Sequence, residues 1–495
     1  MATRRKFLKI GAAAAALAPW PARSAPDADA QFYALLAQPA DETAAPALLV
    51  RLRTVDPTAL SFEARLDYDG IVEGLGLEAA LRAKFPFGTS GATISPYAVS
   101  PRSGAYLSPD SATAAAVAGE TARLAADAAA GVVPPDFIVD ATLAKLKAAR
   151  AAAAPALAAA LDAQIAALNA AGARATHDAG VWRLRDGDAY YAQALQIGTS
   201  LPISPHAAHE EGLRQVEELS ARANALLRKQ GLKSGSVGAR LHALGQQSRY
   251  LYSNDDAGRA RAVAEMNARL ARARGALGRA FIGLSPGAVS VVLAGPGKIG
   301  YRVAPSYDGA TPGAYYVDLR DFRRRPSWSL PTVVHHETLP GHLLQLLLQE
   351  HARPPALRLR YTPNAFFEGW AIYAEQLADE LGLFDGDDLA RLGYLQSLLV
   401  RAGRLVVDTG IHFKRWSREA AIARFFAIAG DAPDTFENEV DRIVVQPGFT
   451  AGPALGRMTM LNLRARFGHD LVAFHAALLK RGAMRLSLLE RAVRA

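Results

Sequence analysis

Apolar and polar positions alternate along this chain mostly with the period of a helix. From Ser111 to about Gly172 an alanine-rich pattern predicts packed helices with small contact faces, interrupted at Pro134-Pro135 and Pro155. Residues 31–110 predict shorter helices and loops, broken by Pro46, Pro57, Pro86, Ser95-Pro96 and Ser100-Pro101. A long amphipathic helix is predicted from about Pro205 to Gln230, and further helices over 237–250 and 254–282. The texture then changes. Val289, Val291, Val292 and Leu293 predict a buried strand, and Gly313–Leu319 a second one. From Leu330 to the end the period is helical again. The expected fold is therefore mainly α: a large helical domain with a small β-sheet just before a histidine-bearing helix.

The N-terminus follows another pattern. Thr3-Arg4-Arg5-Lys6-Phe7-Leu8-Lys9 matches a twin-arginine export signal, and the apolar run Ile10–Ala18 is too short to span a bilayer. Residues 1–30 are expected to be a cleaved signal, cut after Ala25 or, preferably, after Ala30, with one helical domain over 31–495. The metal-binding part is placed at about 285–495. The expected location is periplasmic or otherwise outside the cytoplasm, with no stable membrane anchor.

Composition narrows the chemistry. No cysteine occurs in the 495 residues, so any metal must sit on histidine and carboxylate. The net charge of +9 is scattered and lacks interleaved aromatics, which argues against nucleic-acid binding. Gly295-Pro296-Gly297-Lys298 lacks the spacing and the Ser or Thr of a phosphate loop, which argues against nucleotide binding.

Three of the eleven histidines fall within His335-His336-Glu337-Thr338-Leu339-Pro340-Gly341-His342, followed by an apolar helical run. Histidine ligands, an adjacent carboxylate and a rigid element are what a zinc-dependent hydrolase requires. The spacing departs from H-E-x-x-H. In an ideal helix position i+6 is rotated by about 240° from i, so His342 would not face the ion of His336. A local bulge at Pro340-Gly341 is expected to restore the common face. Glu337 favours His336 over His335 as the ligand. Glu368, 26 residues beyond His342 in an apolar setting, is the candidate third ligand, and Glu375 could orient a ligand from behind. Asp408 and His412 form an i, i+4 pair. Either Asp408 fixes a tautomer of His412 that stabilises an oxyanion, or the two belong to a capped helix face. His206 and His209 are expected in solvent. Arg442 could bind a substrate carboxylate or serve in a structural ion pair.

Several segments in order resemble the bacterial domain-of-unknown-function family numbered 885, from about Gly180 to Arg464. They are Gly180-Val181-Trp182 with Asp186-Gly187 and Tyr190-Tyr191, Tyr315-Tyr316, the histidine window with Gln345, Glu368-Gly369-Trp370-Ala371 with Tyr373 and Glu375, Val407–His412, and Pro447-Gly448. The resemblance implies a helical, gluzincin-like metallohydrolase. It implies His336, His342 and Glu368 as ligands of one zinc ion, Glu337 as general base, and the Tyr315–Leu319 strand beside the cleft, available to pair with an extended peptide. The chain departs from the family at Phe449 and Pro453-Ala454, which replace a glutamine and a tyrosine-lysine pair. The expected function is cleavage of peptide or amide bonds. The alternative is a non-catalytic, metal-bearing binding protein on the same scaffold.

Overall fold

The computed structural model describes residues 27–37, 45–89, 94–108, 112–282, 287–296, 298–321 and 325–495. The twin-arginine run lies outside them. Helices α1 (Asp27–Leu36), α2 (Ala45–Leu52) and α3 (Phe62–Lys84) share a small core around Phe32, Leu52 and Ile71. The alanine-rich stretch forms α4 (Ala114–Ala129), α5 (Asp136–Ala151) and α6 (Pro155–Gly172), with α4 and α5 both packed on α6. Their facing residues, Val117, Leu146, Leu161 and Leu168, make a second core. Pro155 starts α6 at a position where its missing N–H costs nothing.

The chain continues through α7 (Gly187–Thr199), α8 (Pro205–Lys229), α9 (Val237–Gly245) and α10 (Asp256–Ala276). Local chemistry sets these starts. Ser204, Ser236 and Asp255 each accept a backbone N–H three residues on, capping α8, α9 and α10.

Strands β1 (Val289–Leu293), β2 (Tyr301–Val303) and β3 (Gly313–Val317) form one sheet in the order β1-β3-β2. β3 runs parallel to β1 and antiparallel to β2. The expectation that β3 pairs with substrate is thereby corrected, because both of its edges are occupied. The outer edge of β1 is covered too. The Asn267 side chain donates to Val291 O at 2.8 Å and accepts from Val291 N at 2.9 Å, as a neighbouring strand would. The three-residue β2 carried no detectable alternation in the sequence.

The remainder is helical: α11 (Leu330–Glu337), α12 (His342–Ala352), α13 (Ala356–Arg360), α14 (Asn364–Glu380), α15 (Asp388–His412), α16 (Arg418–Ala429), α17 (Pro433–Val445), α18 (Gly452–Phe467), α19 (Leu471–Leu479) and α20 (Leu489–Arg494). The expected class, mainly α with one small sheet, is the observed one. α14 lies along α18, and α15 along α8. α14 and α18 meet at two glycines: a Cβ on Gly369 would come within 2.8 Å of Gly456 Cα. This approach fixes α14, which carries both candidate carboxylates, against the body of the protein.

One contact bears on the cleavage point, and one expectation changes. Asp29 is buried and accepts the backbone N–H of Ser61, the residue that caps α3, at 2.9 Å. A cut after Ala30 would remove this contact and the first turn of α1, whereas a cut after Ala25 leaves both. His209 is buried, not solvated, and its Nδ1 lies 2.7 Å from the Thr409 hydroxyl. Among the described residues no helix is long and apolar enough to cross a membrane.

Candidate metal centre

The histidine window is not a bulged helix. α11 stops at Glu337, four residues make a turn, and α12 begins at His342. Proline cannot donate to the helical ladder, and here the ladder ends before it. The Leu339–Pro340 peptide bond is cis. Three contacts hold the turn. The Thr338 hydroxyl donates to Val334 O at 2.6 Å, the Trp370 indole to Pro340 O at 3.1 Å, and His335 Nδ1 lies 3.3 Å from Leu339 O. His335 thus points into the core, edge-on to Phe384, and burial lowers its pKa to about 4. It is a neutral structural histidine, consistent with His336 being the one that faces the cluster.

The break brings the His336 and His342 rings to 4.9 Å between centroids, nearly perpendicular. Each presents Nε2 to a different oxygen of Glu368, at 3.5 Å in both cases. His336, His342 and Glu368 form a group whose ligand atoms lie within 4.8 Å of one another. Donors about 2.1 Å from a tetrahedral zinc would be separated by roughly 3.4 Å, so the spacing fits a shared ion better than direct hydrogen bonds. His342 Nε2 is buried and has no hydrogen-bond partner, an orphan that a cation would satisfy.

The other ring nitrogens are already committed. His336 Nδ1 donates to Glu375 Oε1 at 2.8 Å, and His342 Nδ1 lies 3.2 Å from Gln345 Oε1. Glu375 is fully buried and also accepts from Thr332 at 2.6 Å and Ser397 at 3.0 Å. These bonds select the tautomer that turns Nε2 of His336 toward the cluster, as a carboxylate behind a ligating histidine does. Two histidines and a carboxylate, with nothing softer, suit zinc.

Charge in the cluster follows from burial set against pairing. Burial opposes protonation of His336, but Glu368 and Glu375 outweigh it and raise the pKa to about 9. Burial also lowers His342 and would raise Glu368, yet the two imidazoles hold Glu368 well below the usual carboxylate range. His336 is therefore protonated at neutral pH in the chain alone, and a cation must displace that proton. Zinc titrations at pH 7 in buffers of different ionisation enthalpy should report release of about one proton, with apparent affinity rising toward pH 9. Affinity flat between pH 6.5 and 8.5 would contradict the assignment.

Beside the cluster opens a cleft of about 540 Å³. Glu337, the residue after His336, lines it and pairs with Arg302 of β2 at 2.5 Å. Tyr315 of β3 lines the same cleft and is largely buried. Burial, then the negative charge of Glu337, push its hydroxyl pKa upward, so it stays a proton donor. One face of α15, with Gly393, Gln396, Ser397, Val400, Arg401 and Arg404, forms a wall.

Four expected participants lie elsewhere. His412 ends α15 about four turns beyond Ser397, roughly 22 Å along the axis. Its Nδ1 accepts the N–H of Val181 at 3.2 Å and its Nε2 donates to Ile443 O at 3.0 Å. Burial lowers its pKa to about 4. With both nitrogens used by backbone, it has no donor for an oxyanion, and the catalytic expectation for His412 is withdrawn. Asp408 does not touch His412. It accepts from Tyr191 at 2.8 Å, Gly448 N at 3.0 Å and Thr450 at 2.9 Å, tying α7 and α15 to the turn before α18. Tyr316 points away from the cleft and stacks on Tyr301 at 4.3 Å. Arg442 lies over the Phe449 ring at 5.1 Å and 3.6 Å from Glu439, a structural role. Ala454, at the family's tyrosine-lysine position, packs with Leu195, Leu405 and Leu455 in a small core, and neither it nor Pro453 lines the cleft.

Sequence reasoning missed Arg302, Thr332, Ser397 and Arg401. Thr332 sits one helical turn before His336, a spacing that could have been read; the others come from distant elements.

Solved structures share this architecture. A Colwellia psychrerythraea protein solved as a "putative lipoprotein" is 26% identical, with a TM-score of 0.75, over 95% of this chain and 91% of its own. A "putative lipoprotein of unknown function" from Shewanella oneidensis is 16% identical, with a TM-score of 0.69, over 94% of this chain and 93% of its own. No curated protein matches the chain. The family model for bacterial proteins of unknown function numbered DUF885 matches residues 22–493, and the chain belongs to that family.

Proposed function

We propose that this protein is a zinc-dependent hydrolase of peptide or other amide bonds. The observation that carries the reading is the convergence of His336, His342 and Glu368 beside a cleft that Glu337 also lines. When bound, the cation would supply Lewis acidity toward water and toward the amide carbonyl. Glu337 takes the proton from the attacking water and returns it to the departing amine. Arg302 holds that carboxylate in place. Tyr315 donates its hydroxyl to the developing oxyanion, the part expected of His412. Glu375, Thr332 and Ser397 keep His336 aimed.

The location we propose is outside the cytoplasm, by twin-arginine export with cleavage after Ala25. It rests on the Arg4-Arg5 run and the integrity of α1, and agrees with the description of the Colwellia psychrerythraea neighbour as a "putative lipoprotein".

The test is metal analysis of the purified protein followed by a broad peptide-library digestion with and without chelator. Cleavage that chelator abolishes and zinc restores is expected. Full zinc loading with no cleavage would favour the second reading, a metal-bearing binding protein on the same scaffold. Tyr315→Phe should lower kcat about 10²-fold, with little change in KM or zinc content, because it removes one donor to the oxyanion. Unchanged kcat would remove Tyr315 from the mechanism.

A further inference from the structure

The polar wall of the cleft contains an arginine with no direct carboxylate partner; Ser397 stands between it and Glu375. The acids that line the cleft are mostly engaged: Glu337 by Arg302 at 2.5 Å, Glu375 by His336 at 2.8 Å, and Glu439 by Arg404 at 2.7 Å. Asp431 accepts the N–H of Ala432 at 2.7 Å. Arg401 differs. Its Nη1 donates to the Ser397 hydroxyl at 2.9 Å and to Ser397 O at 3.3 Å, both neutral acceptors. Its Nε is buried with no partner, and among the described residues no carboxylate lies within ion-pair reach of it. Arg401 lines the cleft, and a guanidinium there without a direct carboxylate partner is matched in charge to a substrate carboxylate.

Its position gives the partner a length. Arg401 Nη1 reaches the Ser397 hydroxyl at 2.9 Å, that hydroxyl donates to Glu375 Oε1 at 3.0 Å, and Glu375 Oε1 accepts from His336 Nδ1 at 2.8 Å. A contact path of this length is spanned by at most roughly three residues of extended chain. Arg404, the next arginine on the same face, is neutralised by Glu439, and Arg442 lies outside the cleft lining.

We propose that Arg401 binds a carboxylate of the substrate, so that the site takes short peptides or N-acyl amino acids with a free acid within about three residues of the scissile amide. This rests on the hydrolase reading for the scissile bond, but the carboxylate subsite can be measured without turnover.

The probe is N-acetyl-Ala-Ala as free acid and as C-terminal amide, titrated calorimetrically into the zinc-loaded full chain carrying Glu337→Gln. The acid is expected to bind at least tenfold more tightly than the amide. Adding Arg401→Gln should bring the acid down to the amide's affinity and leave the amide and the zinc content unchanged. Arg401→Lys keeps the charge without the two-pronged donor and should retain a reduced preference, which covers a folding defect in the glutamine variant. Equal affinities for acid and amide, no binding at millimolar acid, or a preference that survives Arg401→Gln would each overturn the subsite. Turnover separates the two readings. Equal cleavage of free and amidated peptides by the wild type sinks the subsite and leaves the hydrolase. An Arg401-dependent acid preference with no cleavage of any peptide sinks the hydrolase and leaves the subsite.

Discussion

Glu337→Gln should bind zinc with the wild-type stoichiometry and lose between about 10² and 10⁴ of kcat, the range that a positioned general base contributes. The expectation follows from where the residue sits. Glu337 follows His336 directly in sequence, yet it does not belong to the group formed by His336, His342 and Glu368. It lines the cleft instead, with its carboxylate held by Arg302. Glutamine has the same shape, and its carbonyl oxygen still accepts from Arg302, so the wall of the cleft is preserved. What is lost is the ability to take a proton from water and deliver it to a leaving amine. Metal content by mass spectrometry and kcat on whichever peptide the library yields make the measurement. A variant that keeps its metal and its full rate would remove Glu337 as base and leave the cluster as a binding site only. A variant that loses the metal as well would mean that Glu337 supports the ligands, contrary to the observed partition of contacts.

That partition shows how far sequence reasoning reaches. The convergence of His336, His342 and Glu368 could be read because histidine is scarce in this chain and because carboxylates in apolar helices demand partners. Glu375 could be read as well: seven residues beyond Glu368 on one helix, it lies near the same face. The helical class followed from periodicity, and β1 and all of β3, with two residues beyond its end, from short β-branched or aromatic runs. The failures share one physical origin. Asp408 and His412 have the i, i+4 spacing of a working pair, but spacing fixes only the face of α15 and not what packs against it. Val181, Ile443, Gly448 and Thr450 come from other elements and absorb both side chains. Arg302 sits on a three-residue strand with no pattern of its own, and reaches Glu337 only because β2 pairs with β3. Pro340-Gly341 was legible as an interruption but not as a full break, since a bulge and a break use the same residues. Long-range packing decided each of these cases, and local preference does not encode it.

The break also yields the strongest prediction for a residue that touches neither metal nor substrate. A Cβ built on Gly341 would meet His336 O at 2.0 Å and His335 O at 2.3 Å. Both are backbone atoms of α11, so no side chain can rotate aside to make room. Gly341→Ala must open the turn between α11 and α12, and opening it carries His342 away from His336 and Glu368. The contact that clamps the turn from α14, Trp370 to Pro340 O at 3.1 Å, would be strained by the same movement. The variant should lose about 1–3 kcal/mol of stability, as overpacked sites do, and its zinc affinity should fall by at least about 100-fold. Removing a ligand directly separates these effects. His342→Ala should lose a similar amount of zinc affinity while leaving the backbone of the turn intact, so its metal-free stability should fall less. Chemical denaturation without zinc and zinc titration of both variants make the comparison. Wild-type zinc affinity in Gly341→Ala would show that His342 reaches the cluster without the observed turn, and the geometric basis for the metal centre would be wrong.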